Sequence, residues 1–298
     1  MLNPQLDRRG EPIHLLTTEG LPRRHVERLL DMALAAPPAV RAQPAYLCLP
    51  DDAATERDAY SAAAASLGLR PVALAADAGE TLADVAAALE PGLLVLRHAA
   101  SGAAHCAAAH AAPGVRVINA GDGGHADPLP ALALLQAMRE ARQDLANLSV
   151  TLVGDLRHSR VARSAIHAMT TLGVAQVSAA GPGTLQPEGL AQLGVRACAS
   201  LREGLDADVI VILPLDVERI SGALLPSARE YEHSFGLTPA ILAGARADAL
   251  LLPAGALTPG VEVDADVAAS LAPTQARLAA FTQQLRVAVL AMLAGDAP

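Results

Sequence analysis

The stretch that decides the fold is VINAGDGGHADPLPALALLQAMRE, residues 117–140. A short apolar run reaches Asn119, a glycine-rich turn follows, and an amphipathic segment opens at Asp127 and Pro128. Proline fits the first turn of a helix, where its missing N–H costs nothing. The sequence here therefore reads as strand, tight turn and helix, the outline of a small-molecule site in an α/β protein. The mouth of that helix carries Asp122 and Asp127 in place of basic residues, so it is poorly suited to an anion.

The same alternation extends in both directions. Upstream, helices are expected at 22–36 (apolar side Val26, Leu29, Leu30, Met32), 53–67, 80–89 and 102–111, with strands at 45–49, 70–76, 93–98 and 115–120. The helix at 127–142 closes this half. Downstream, strands are expected at 148–155, 175–180, 195–199, 208–213 and 249–253, with helices at 160–172 and near 187–193. Residues 221–238 read as a looser region, and a long helix spans 273–293. The fold class is α/β, with two doubly wound parallel-sheet domains. The expected domains are 1–142, with a helix in 272–298 packing back on it, and 143–271.

A chain of 298 residues with 52% hydrophobic residues is long enough for two well-buried cores. No apolar run is long enough for a membrane span, and the N-terminus lacks a signal-peptide pattern, so a cytoplasmic protein without membrane contact is expected. Cys48, Cys106 and Cys198 are scattered, which argues for free thiols. The net charge is −9, basic runs are absent, and three Tyr and two Phe are the whole aromatic content, so nucleic acid is a poor partner. All 22 basic side chains are arginines. Schiff-base chemistry on a lysine and a Walker lysine are thereby excluded.

Residues 153–160, VGDLRHSR, hold a single glycine, too little for a dinucleotide fingerprint, and no cofactor is expected. Arg97 ends a strand and Arg160 begins a helix, both at the edge where open sheets bind ligands; surface ion pairs are the alternative role. His98, His105 and His110 are not spaced for one helix face, and no metal is expected. His125 lies in the glycine-rich turn and His158 beside Ser159; either suits acid–base chemistry, although exposed loop histidines are commoner.

Four segments together resemble the aspartate/ornithine carbamoyltransferase family, most closely aspartate carbamoyltransferase, over nearly the whole chain. VINAGDGGHADPLPALALL resembles that family's stretch ending in His-Pro-Thr-Gln-Thr-Leu. The stretch that runs from ETLADVAAAL through LLVLRHAASGAA is similar to its Glu-Thr-Leu-x-Asp segment followed by Arg-His-Pro. VTLVGDLRHSRVARS resembles its Val-Gly-Asp-Leu segment, and ISGALLPSAREYEHSFGLT its substrate-closing loop. The resemblance implies a carbamoyltransferase fold, a trimer with active sites between subunits, and transfer of a carbamoyl group from carbamoyl phosphate to aspartate in pyrimidine synthesis.

Residue by residue, the catalytic positions that the resemblance implies are substituted. The Ser-Thr-Arg-Thr motif falls on Ala53, Ala54, Thr55 and Glu56, with Arg57 following. The serine and lysine lent by a neighbouring subunit fall near Leu74 and at Ala78. The carbonyl-polarising histidine is Asp127 and the glutamine after it is Pro130. The aspartate-binding Arg-x-Gln becomes Pro214 and Asp216, and the His-Pro-x-Pro turn near 253 reads LPAGALTPG. Arg57, Arg97 and Arg160 are the residual ligand-binding candidates; the resemblance matches Arg97 and Arg160 to arginines that contact the carbamoyl group and aspartate respectively. Four or five lost charge-assisted bonds remove about 6–15 kcal/mol before non-additivity, against about 8 kcal/mol for micromolar binding. The expectation is a non-catalytic structural or regulatory subunit, a homotrimer or a hetero-assembly with a catalytic carbamoyltransferase or a dihydroorotase. The alternatives are an active carbamoyltransferase with a rebuilt site around Arg57, Arg97, His125 and Arg160, and a sensor that holds a small anionic metabolite in the interdomain cleft.

Overall fold

The computed structural model describes residues 3–74, 81–216, 220, 224–225 and 227–295. Two parallel sheets organise the chain, each in its own compact unit: residues 1–132 with 281–298, and residues 133–280.

In the first unit, the strands are β1 (Pro44–Cys48), β2 (Arg70–Ala73), β3 (Gly92–His98) and β4 (Val115–Asp122), ordered β2-β1-β3-β4 with every pairing parallel. Helices α1 (Arg23–Leu34), α2 (Ala54–Ser66), α3 (Leu82–Ala88) and α4 (Ala103–His110) lie between or before them, and α5 (Pro128–Arg142) follows β4. The first five residues of β3 are buried, as a strand covered on both faces requires. Edge strand β2 is short, mostly exposed and contains Pro71, which removes a donor where an unwanted partner would pair. Small residues let a helix sit close on this sheet: Ala103, Ala104 and Ala107 of α4 share a core with Leu94, Leu96 and Val117.

The second unit holds β5 (Ser149–Val153), β6 (Gln176–Ala180), β7 (Val195–Ala197), β8 (Val209–Ile212) and β9 (Leu250–Pro253), in the order β7-β6-β5-β8-β9. Its helices are α6 (Arg160–Leu172), α7 (Leu201–Gly204), α8 (Ala228–Phe235) and α9 (Pro239–Leu242). Helix α10 (Ala265–Ala294) ends the described fold, and the boundaries between units fall inside α5 and α10. Early residues of α10, Val267 and Leu271, share a core with Val153, Ile210 and Ile212. Its last turns are tied to the first unit: Gln43 donates to the Ala294 carbonyl at 2.8 Å and Arg116 to that of Leu293 at 2.6 Å.

Both sheets reverse winding once. In the first, the chain runs from β1 out to β2 and returns to β3 on the other side of β1. In the second, it runs from β5 through β6 to β7 and returns to β8 on the other side of β5. Ligand crevices of open α/β sheets lie at such reversals, beyond the carboxyl ends of the strands. The loops after β1 and β3, and those after β5 and β8, are therefore where a site belongs.

Four local expectations are corrected. Residues 187–193 form no α-helix; 3-10 turns at Gly183–Leu185 and Leu190–Leu193 stand there, interrupted by Pro187 and by Gly189 at φ 81°. Within 221–238 lies α8, capped by Ser227, whose hydroxyl accepts from Glu230 N at 3.0 Å. Helix α10 begins at Ala265 and carries Pro273 in its interior. Strand β4 runs to Asp122, two residues past its expected end, because of a bulge: Leu96 pairs with Asn119 but His98 with Asp122.

Candidate functional site

At the first reversal, β1 ends in a 3-10 turn at Asp51–Ala53 and leads directly into α2. Ala53 is the N-cap and has no side chain able to accept from the helix N–H groups. Ala54 and Thr55 are exposed in the first turn, flanked by the acidic Asp51, Asp52 and Glu56. Carboxylates thus stand where a helix N-terminus would otherwise attract an anion.

Arg97 occupies the end of β3, opposite the bulge at Ala120 and Gly121. The bulge is built by neighbours in sequence. Asn119 accepts from Gly121 N at 2.8 Å and donates to the Leu16 carbonyl and to Asp122 Oδ1, at 2.8 and 2.9 Å. From this position Arg97 Nη1 meets Glu56 Oε2 at 2.5 Å, with the Glu56 side chain 18% exposed and that of Arg97 35%. Arg286 of α10 approaches the other oxygen of Glu56 at 3.9 Å and lies over the Tyr60 ring, 5.1 Å from its centroid. Its Nε is buried with no hydrogen-bond partner among the described residues. Burial pushes the Tyr60 hydroxyl far up, and the charges of Glu56 and Asp127 add to the effect. One carboxylate therefore sits between two arginines, and one of these lies over a phenol that stays protonated.

The remaining positions implied by the family resemblance fall as follows. Arg57 turns back on the strand end: its Nη2 donates to the Leu49 and Pro50 carbonyls at 3.0 and 2.9 Å, with Asp51 at 3.6 Å. Asp127 is buried immediately before α5, and Pro130 lies in that helix's first turn. Leu74 continues β2 through a bond from its N–H to the Leu47 carbonyl, whereas Ala78 lies outside the described residues.

At the second reversal, Gly154 follows β5 at φ 124°, a backbone state that glycine alone adopts readily. The buried Asp155 accepts from His158 Nδ1 at 2.9 Å and from His158 N at 3.1 Å, closing the turn that presents α6. Ser159 caps α6 by accepting from Ala162 N, Arg160 opens the helix, and no acidic residue lies in its first turn. Pro214 and Asp216 follow β8, and between them Leu215 N donates to the buried Glu262 at 2.7 Å. The other oxygen of Glu262 accepts from Thr258 N at 2.7 Å, so this carboxylate ties the LPAGALTPG loop to the loop after β8. Burial pushes the Tyr231 hydroxyl up, reinforced by Glu262 and Asp155. Arg97 belongs to the first unit and Arg160 to the second.

Sequence spacing missed one grouping. His98 Nδ1 accepts from Ala100 N, and His110 Nδ1 meets the carbonyl of Cys106, so those two histidines close on their own loop and helix. His105 instead meets His125 across the strand edge, ring centroids 5.3 Å apart and nearly perpendicular. His125 Nδ1 is 3.1 Å from both oxygens of the fully buried Asp122. Burial pushes the Asp122 carboxyl up, but hydrogen bonds from His125 and Asn119 outweigh it and hold the group below the ordinary carboxylate value. Burial holds His105 below the ordinary imidazole value; His125 adds to this, while Asp122 and Glu19 oppose it. The available signal was topological: both histidines follow neighbouring parallel strands, β3 and β4.

This architecture, two parallel sheets with reversals at these loops, is that of the carbamoyltransferases. Ornithine carbamoyltransferase of Pyrococcus furiosus superposes with a TM-score of 0.77 at 21% identity, covering 96% of this chain and 98% of that one. That of Gloeobacter violaceus gives 0.78 at 21% identity, covering 96% and 99%. Aspartate transcarbamoylase of Trypanosoma cruzi in complex with N-(phosphonacetyl)-L-aspartic acid gives 0.79 at 19% identity, covering 98% and 99%. No protein-family model matches the sequence. At these identities the likeness establishes the fold, and function has to be argued from the site.

Proposed function

We propose that this chain is a non-catalytic relative of the aspartate/ornithine carbamoyltransferases. It acts by assembly, as a homotrimer or with a catalytic carbamoyltransferase or a dihydroorotase, in the setting of pyrimidine synthesis. The observation that carries this reading is the 2.5 Å pair between Arg97 and Glu56. Arg97 is the arginine that the resemblance assigns to the carbamoyl group, and here a carboxylate of the same chain occupies its guanidinium. A substrate anion has to displace that carboxylate and then remain beside it. A charge-assisted bond is worth about 1.5–3 kcal/mol, so displacement alone weakens binding about 10- to 150-fold. Repulsion between Glu56 and a phosphate dianion adds to this. Substituted phosphate-contacting positions also remove donors that would stabilise charge developing on the leaving group, usually the largest contribution to such catalysis.

Carbamoylation assays with aspartate and with ornithine, run alongside calorimetric titration with carbamoyl phosphate, test the proposal. Neither turnover nor heat is expected. Carbamoyl-aspartate or citrulline formation that persists in pure protein sinks it.

A second reading, an anion sensor, is favoured by the start of α6, where Ser159 caps, Arg160 opens the helix and acidic residues are absent from the first turn. Thermal-shift measurements with phosphate, aspartate and ornithine separate the two readings. A shift that Arg160→Ala abolishes supports sensing.

A further inference from the structure

The carboxyl edge of the first sheet holds a constellation that the proposed function does not use. His105 comes from the first turn of α4, Asp122 from the end of β4 and His125 from the turn before α5. One donor atom from each residue lies within 4.8 Å of the other two. We infer that His105, Asp122 and His125 form a binding site for a first-row divalent cation of the zinc class, with two imidazole ligands and one carboxylate.

The geometry supports direct ligation. Around a tetrahedral ion with bonds of about 2.0–2.2 Å, neighbouring ligand atoms stand about 3.4 Å apart. His125 Nδ1 already lies 3.1 Å from Asp122 Oδ2, close to that edge length. An ion there replaces the proton that these two groups share. His105 offers the third ligand atom, within 4.8 Å of the other two, and its half-buried ring has only to move inward to close the third side.

Asp122 is held rigidly for this role. Gly102 N donates to Oδ2 at 2.8 Å, while Asn119 Nδ2 and Ala126 N donate to Oδ1 at 2.9 and 3.0 Å. Such bonds orient a ligating carboxylate and are part of what sets metal affinity. The donor set of imidazole and carboxylate selects zinc, cobalt or nickel over calcium or magnesium. Three protein ligands leave a fourth position for water. The bound ion would link the loop after β3 to the turn after β4, a role independent of whether the chain binds carbamoyl phosphate.

The experiment uses the full chain, stripped with a chelator and dialysed, then titrated with Zn²⁺ by calorimetry and with Co²⁺ by visible absorption. Uptake of one equivalent per chain is expected, with cobalt d–d bands and no thiolate charge-transfer band. His105→Ala and His125→Ala should each weaken binding by at least about tenfold, the lower bound for disturbing a metal site. His110→Ala, on the exposed side of α4, should leave binding unchanged. The inference is overturned if the intact chain takes up no ion. It is equally overturned if uptake survives both histidine substitutions, or if a thiolate band shows that Cys106 holds the metal. Circular dichroism verifies that each variant is folded; should His125→Ala not fold, His105→Ala and the cobalt spectrum decide.

Discussion

Glu56 and His14 each show how a single side chain sets a measurable property. Glu56 stands between Arg97 at 2.5 Å and Arg286 at 3.9 Å. Replacing it with glutamine frees Arg97 and removes one negative charge from the start of α2. Calorimetric titration of Glu56→Gln with phosphate should give measurable heat where the parent chain gives none, a gain of at least about tenfold in affinity, the low end of one charge-assisted bond. The same change leaves Arg286 partly buried without its counter-charge, so melting temperature should fall even as affinity rises. His14 is buried and its Nδ1 accepts from Val117 N at 2.9 Å. Burial, with Arg116 nearby, lowers its pKa from 6.5 to about 4. The unfolded chain binds this proton first, so the folded state loses stability as pH falls from about 6.5 to about 4, by about 3 kcal/mol in all. Urea melts across that window should show the loss, and His14→Asn, which keeps an acceptor but does not titrate there, should remove most of it.

Turns at the strand ends carry the greatest constraint among the elements. Gly154 sits at φ 124°, and a Cβ built there would lie 2.7 Å from the Leu213 carbonyl oxygen and 3.1 Å from the Tyr231 hydroxyl. Gly154→Ala should therefore cost about 2–4 kcal/mol, combining backbone strain with a clash against a neighbouring strand end. Gly183 in the same unit has nothing among the described residues within 4 Å of a built Cβ, and Gly183→Ala should change stability by less than about 0.5 kcal/mol. Chemical denaturation of the pair separates a conformational requirement from a tolerated glycine. Strands and long helices were legible in sequence because their periodicity survives in any context: the expected helix at 160–172 coincides with α6. Residues 221–238 were not, since α8 is only eight residues long and owes its start to one serine cap. The extension of β4 was hidden for a different reason. A bulge at Ala120 and Gly121 depends on the Asn119 side chain accepting from Gly121 N and donating to Asp122, and no propensity scale registers those bonds.

For the molecule as a whole, the proposed role by assembly predicts a defined oligomer. Light scattering on purified protein should give three times the chain mass, or a larger complex when a catalytic partner is added; a monomer under both conditions removes the assembly reading. Among the described residues no helix is long and apolar enough to cross a membrane.

Sequence alone determined the α/β class, the two-sheet plan and the absence of any lysine-dependent chemistry, because apolar periodicity and residue type are local quantities. Tertiary structure decided what the surviving polar residues do. Glu56 and Arg97 are 41 residues apart, and His105 and His125 are 20 apart. They meet because the order β2-β1-β3-β4 brings the carboxyl ends of β1, β3 and β4 side by side. That adjacency arises from strand order and register, long-range choices of the folded chain that neither spacing nor composition encodes.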